Sequence, residues 1–87
     1  MARYRILIKA AAAKEIEQIP NRRDRQRVVR RIQSLADEPR PRGCEKLSGQ
    51  NRFRVRQGRY RVVYSVHDDR LVVHVVRIGH RRDVYRK

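Results

Sequence analysis

Acidic residues are scarce in this chain: 9 Asp and Glu stand against 24 Lys and Arg in 87 residues, a net charge of +15. A metal-dependent nuclease needs clustered carboxylates, yet Asp68 and Asp69 read as one turn and Asp83 stands alone, which argues against that chemistry. A single cysteine, Cys44, excludes an intrachain disulfide, and no CxxC or Cys/His quartet offers a zinc site. No metal or cofactor is expected, and a reducing cytoplasm suits the chain. The N-terminus alternates Arg with apolar residues, and the apolar runs fall far short of the ~20 residues that cross a bilayer. Neither secretion nor membrane spanning is expected. With so few residues there is room for one core and one domain, residues 1–87, which excludes large multi-domain enzymes.

What is abundant is arginine: 20 of the 24 cations, with only Lys9, Lys14, Lys46 and Lys87 beside them. Guanidinium forks match phosphate oxygens in pairs, so a polyanion is the first partner to consider. The bland alternative is a charged, solvated surface. Charge is no guide to location, because residues 1–51 carry +7 and residues 52–87 carry +8. Location has to come from periodicity.

Residues Arg3 to Ile8 place Tyr4, Ile6 and Ile8 on one face of a first strand. Ala10 to Ile19 follows as a short Ala-rich helix with Ala12, Ile16 and Ile19 on one stripe, stopped by Pro20. Asn21 caps a second helix running to about Ala36, with Asp24 in its first turn and Val28, Ile32, Leu35 and Ala36 along its apolar side. Arg22, Arg23, Arg27, Arg30 and Arg31 form its basic side, which reads as solvated. The segment Pro39-Arg40-Pro41-Arg42-Gly43 holds neither helix nor central strand and serves as a connector. Beyond it, Arg52 to Arg56 and Tyr60 to Val66 alternate as a hairpin about Gln57-Gly58. After a turn at His67 to Arg70, the apolar run Leu71 to Ile78 reads as a central strand covered on both faces. The expected fold is α+β, ordered β-α-α-β-β-β, with two helices packed on one face of a small, mostly antiparallel twisted sheet.

With Gln57 and Gly58 as the turn, Arg56 faces Arg59 and Arg54 faces Arg61. Phe53, Val55, Tyr60 and Val62 then point to the core, while Arg52, Arg54, Arg56, Arg59 and Arg61 share the solvent face. Like charges opposed across a sheet cost a few tenths of a kcal/mol or more per pair, so a compensating anion is called for. A phosphate backbone supplies it.

The run Gly58-Arg59-Tyr60-Arg61-Val62-Val63-Tyr64, the lead-in Glu45-Lys46-Leu47 and the tail Gly79-His80-Arg81-Arg82-Asp83-Val84-Tyr85-Arg86 resemble the RelE branch of the RelE/ParE toxin superfamily. The resemblance spans the chain. The hairpin is shared across the superfamily, whereas the Gly-His-Arg-Arg-x-x-Tyr tail is more specific to RelE-like members. It implies a toxin of a type II toxin–antitoxin module that cuts mRNA in the ribosomal A site. It carries catalytic roles onto Arg54, Arg56, Arg61, Arg81 and Tyr85, with Arg52, Arg59, Arg82 and Arg86 as supporting RNA contacts. It also implies a neutralising antitoxin, acidic and RelB-like or of another family, with the toxin a monomer alone and oligomeric in that complex. Well-studied RelE-type toxins have Lys where this chain has Arg54 and Arg56, and Arg does not lose its proton, so neither serves as a general base here.

Cleavage by the adjacent 2′-hydroxyl needs a base for that hydroxyl, positive charge around the phosphorane and a donor for the leaving 5′-oxygen. Arg61 and Arg81 suit the charge, and Tyr85 suits stacking on a base or aligning the nucleophile. His80 is either the acid/base group or a solvated loop histidine. His74, inside an apolar strand, reads as a packed, hydrogen-bonded residue. Two alternatives remain open. A ParE-like gyrase inhibitor shares the fold without RNA chemistry, and a noncatalytic nucleic-acid-binding module accounts for the charge but not for Tyr85.

Overall fold

The structure, a computed structural model, describes residues 3–47 and 51–80. Strand β1 (Arg5–Ile8) leads into helix α1 (Ala10–Glu17), whose four successive alanines favour helix without needing a side-chain cap. Pro20 forbids a continuation. The Ile19 carbonyl just past the helix accepts a hydrogen bond from Arg25 Nη1 at 2.9 Å. Helix α2 (Arg22–Ser34) starts where the sequence places its cap: the Asn21 side chain accepts from the Asp24 amide at 3.1 Å. Val28, Ile32, Leu35 and Ala36 are all buried along one side.

Four further strands follow: β2 (Glu45–Lys46), β3 (Arg52–Gln57), β4 (Tyr60–His67) and β5 (Val72–His80). The sheet order is β1-β5-β4-β3-β2, with β1 parallel to β5 and every other pair antiparallel. Both helices pack on one face against Phe53, Val55, Val62, Tyr64, Val66, Val73, Val75 and Ile78. The α+β expectation holds, with the two-residue strand β2 added at the edge beside β3.

Three details differ from the sequence reading. The hairpin loop is Gly58-Arg59, not Gln57-Gly58, and Gln57 pairs with Tyr60. Gly58 has φ +61°, the conformation the first loop residue of a Gly-X hairpin requires. Arg56 therefore faces Arg61, Arg54 faces Val63, and Arg59 sits in the loop. Because partners move by two positions, the faces keep their membership except for Arg59, which leaves the arginine face for the loop.

The second difference lies in β5. Its burial alternates at Val73 and Val75, then the register slips opposite Val63/Tyr64 so that Arg77 pairs with Val63 and Ile78 with Val62. The extra residue, Val76, keeps Arg77 out of the core and puts Ile78 in. One face of β5 is thus covered by helices, while Val72, His74 and Val76 on the other are only half-buried. Thirdly, His74 belongs to that open face and not to the core.

Two contacts fix the sheet against its surroundings. Strand β1 ends at Ile8, so among the described residues the outer edge of β5 beyond Val75 has no strand neighbour; α1 brings Glu15 there, and Glu15 Oε1 accepts from the Ile78 amide at 2.8 Å. At the other side of the core, the Tyr64 hydroxyl donates to the Pro39 carbonyl at 2.7 Å, tying the connector down. Burial, then the neighbouring Cys44, raises the Tyr64 pKa, so the hydroxyl remains a donor. Tyr64→Phe is expected to cost about 1–3 kcal/mol, since it orphans that carbonyl. Urea unfolding checks this, and an unchanged midpoint would contradict it.

Candidate functional site

The side of the sheet away from the helices is built from rows of paired residues. Arg56, Arg61 and Gly79 form the row nearest the hairpin loop; Arg54, Val63 and Arg77 form the next; Arg52, Ser65 and His74 the third. Strand alternation alone places Arg52, Arg54 and Arg56 on this face, because Phe53 and Val55 between them are needed in the core.

These arginines are not equivalent. Arg52 and Arg56 are exposed, Arg54 is half-buried and Arg61 is 1% exposed. The sequence reading treated all five hairpin arginines as one solvent surface; Arg61 departs from it because it lies within β4, flanked by β3 and β5, whereas Arg56 lies on β3 nearer the edge. Only one Arg–Arg pair is opposed, Arg56 with Arg61.

Part of the compensation for this charge comes from within the chain. Glu45 on β2 pairs with Arg54 on β3, and Arg54 Nη2 donates to Glu45 Oε1 at 2.9 Å. That hydrogen bond first, then the charges of Arg54, Arg56 and Arg61, holds the Glu45 carboxyl below the usual carboxylate range. Arg54 touches this carboxylate, whereas Arg56 and Arg61 act on it through their charge. Glu45 was missed as a site residue because its place depends on β2, a strand too short to leave a periodic signal.

Glu45 stays ionised but is a weak base, so its part is to hold Arg54 in place, much as a phosphate oxygen would. The Arg54 Nε is buried without a hydrogen-bond partner among the described residues, so the fork has donor capacity left over. Glu45→Gln is expected to tighten RNA binding about two- to fivefold by releasing Arg54, with the cleavage rate at saturation unchanged. Fluorescence anisotropy and single-turnover cleavage check the two halves. A collapse in rate with binding retained would instead make Glu45 the proton acceptor.

His80 is placed elsewhere. It pairs with Tyr60, one position beyond the Arg61–Gly79 pair, and so belongs to the helix side of the sheet. Its ring meets Tyr60 edge-on at 5.4 Å between centroids, in a cleft of about 580 Å³ lined also by Glu15, Asn21, Asp24 and Arg59. The structure thus brings Arg54, Arg56 and Arg61 together, sets Arg52 at the end of the same line, and puts Arg59 and His80 at the hairpin end. Arg81, Arg82, Tyr85 and Arg86 lie outside the described residues. Among the described residues no group of three His, Cys, Asp or Glu is placed to hold a metal ion, and no helix is long and apolar enough to cross a membrane.

A five-stranded sheet with two helices on one face has counterparts among known proteins. The family described as the ParE toxin of type II toxin–antitoxin systems matches residues 6–85. This chain belongs to that family. The toxin also superposes on the RelE–RelB complex of Pyrococcus horikoshii, with 30% identity, a TM-score of 0.81, and 93% of this chain and 97% of the other covered. Against the RelBE2 toxin–antitoxin complex of Mycobacterium tuberculosis the identity is 27% and the TM-score 0.79, over 91% and 99% of the two chains. The isolated RelE toxin of E. coli gives 26% and 0.77, over 95% and 92%. No curated protein matches. The protein is therefore a toxin of a type II toxin–antitoxin system, with the RelE/ParE fold and RelE-like structural neighbours.

Proposed function

We propose that this toxin is a ribosome-dependent endoribonuclease that cuts mRNA in the A site. The observation carrying this reading is the placement of Arg54, Arg56 and Arg61 on one face of the sheet, with Arg56 directly opposite Arg61 and Arg54 two positions from Arg56 along the same strand. Positive charge gathered on one sheet face is what a phosphorane requires, and groups already in place cost little reorganisation when charge develops. The 2′-oxygen attacks the adjacent phosphorus and the P–O5′ bond breaks, leaving a 2′,3′-cyclic phosphate and a 5′-hydroxyl. The proton from the 2′-hydroxyl leaves through a base other than Arg54 or Arg56, and the 5′-oxygen gains one. The family resemblance adds Arg81 to the charge clamp and Tyr85 as the group that stacks on a base or aligns the nucleophile. The reaction uses no metal at this site.

The likeness to two RelE–RelB complexes supports a protein antitoxin as the neutralising partner. A chain of charge +15 calls for an acidic one, with the toxin a monomer alone, oligomeric in the complex, and at work in the cytoplasm. The second reading, gyrase inhibition, is favoured by the ParE description of the matching family. Induced expression separates the two. Primer extension should show new 5′ ends inside translated messages without DNA breaks; DNA breaks with intact messages would establish the gyrase reading.

A further inference from the structure

The open face of the sheet has a second concavity. Beyond the Arg54 row, a cleft of about 570 Å³ is lined by Lys9, Arg52, Ser65, His67 and His74, with Val76 beside them. Its volume falls within the range of small-ligand sites. The register makes it continuous with the arginine cluster: Arg52, Arg54 and Arg56 alternate along β3, so their stems stand about 6.7 Å apart in one line. Two cations line the cleft and no carboxylate does. The cleft of similar size on the helix side sets Glu15 and Asp24 against the cation Arg59 and is less suited to an anion.

The remaining groups suit a base and not a phosphate alone. His67 and His74 are half-buried on neighbouring strands, and the Ser65 hydroxyl lies 3.0 Å from His67 Nε2, which fixes that ring's orientation. Flat rings beside cations are how single-stranded nucleic acid is held without sequence preference.

We propose that this cleft is a nucleotide subsite, in which Lys9 and Arg52 hold the phosphate and His74 stacks on the base of a residue neighbouring the scissile one. The proposal rests on the reading of Arg54, Arg56 and Arg61 as the RNA site and extends the strand from it across the open face. No local pattern announces such a site, because its walls come from β1's end, β3, β4 and β5 and meet only through the sheet register.

The test uses the whole toxin and fluorescein-labelled 2′-O-methyl oligoadenylates of two, four and six nucleotides, which bind but cannot be cut. In the parent toxin, affinity should rise about tenfold from two to four nucleotides. Lys9→Ala should remove most of that gain and lower the slope of log affinity on log salt by about 0.7, the share of one phosphate contact on a single strand. His74→Ala should lose about tenfold with the slope unchanged, because stacking releases no counterions, and His74→Phe should restore it. Thermal unfolding of each variant checks that the fold survives. Arg23→Ala, which removes one exposed charge from α2 on the helix side, should leave the length dependence intact. If Lys9→Ala behaves like Arg23→Ala, or if His74→Phe fails to rescue a folded protein, the subsite is wrong. Arg56→Ala serves as the separate control: if it weakens the dinucleotide while Lys9→Ala changes nothing, only the subsite falls, and if it changes nothing either, the RNA site itself is wrong.

Discussion

Arg61→Ala should lose growth inhibition and stability together. The side chain is 1% exposed within β4, so truncation removes its buried stem as well as its charge, at about 2 kcal/mol or more. Removing one donor from a preorganised anion site lowers the chemical rate by roughly 10²–10³-fold. Loss of toxicity in this variant alone would therefore say little, since an unstable toxin is also inactive. Arg56→Ala separates the two effects. Arg56 is directly opposite Arg61 but exposed, so its removal should cost a comparable share of the rate with stability within about 0.5 kcal/mol of the parent. Urea unfolding and single-turnover cleavage on the same preparations give both numbers. A stable Arg61→Ala protein, or a fully active Arg56→Ala protein, would contradict the arrangement.

Arg81→Ala is the second large effect, expected from the family resemblance of the tail and not from the described residues. It should abolish growth inhibition with the helices and sheet intact by circular dichroism, again at a cost of roughly 10²–10³-fold in rate. Tyr85→Phe then divides two roles. A hydroxyl that moves a proton gives a steep fall in rate, whereas a stacking ring leaves it nearly unchanged. Full toxicity of folded Arg81→Ala would remove the tail from the site.

The parts of the fold that the sequence announces are those governed by local rules. Asn21 caps α2, and Val28, Ile32, Leu35 and Ala36 are buried, because a cap and a helical stripe are written within one short stretch of chain. The membership of the arginine face, Arg59 apart, was legible for the same reason, since alternation survives even when the loop is misplaced. The rest depends on contacts between distant segments. Strand β2 exists because Glu45 and Lys46 pair with Arg54 and Phe53, and nothing in two residues signals that. The bulge at Val76 turns an alternating strand into what reads as a continuous apolar run. The burial of Arg61 and the placing of Glu45 beside Arg54 follow from strand order, which composition and period do not encode. His80 stands within the tail motif, yet pairing with Tyr60 turns it to the face opposite the arginines.

The central claim is that this toxin supplies charge and position but depends on the ribosome for alignment of the reacting groups. Bidentate arginines bind a phosphate without activating the neighbouring 2′-hydroxyl, and misalignment by about 1 Å can cost 10²-fold. The direct measurement compares cleavage of one message, naked and programmed in the ribosomal A site, at the same salt, the same Mg²⁺ and the same toxin concentration. The account predicts tight, salt-sensitive binding of the naked message with little cutting, and cleavage at least about 10²-fold faster on the ribosome. Equal rates on both substrates, or a requirement for added Mn²⁺ or Zn²⁺ on the programmed ribosome, would contradict it.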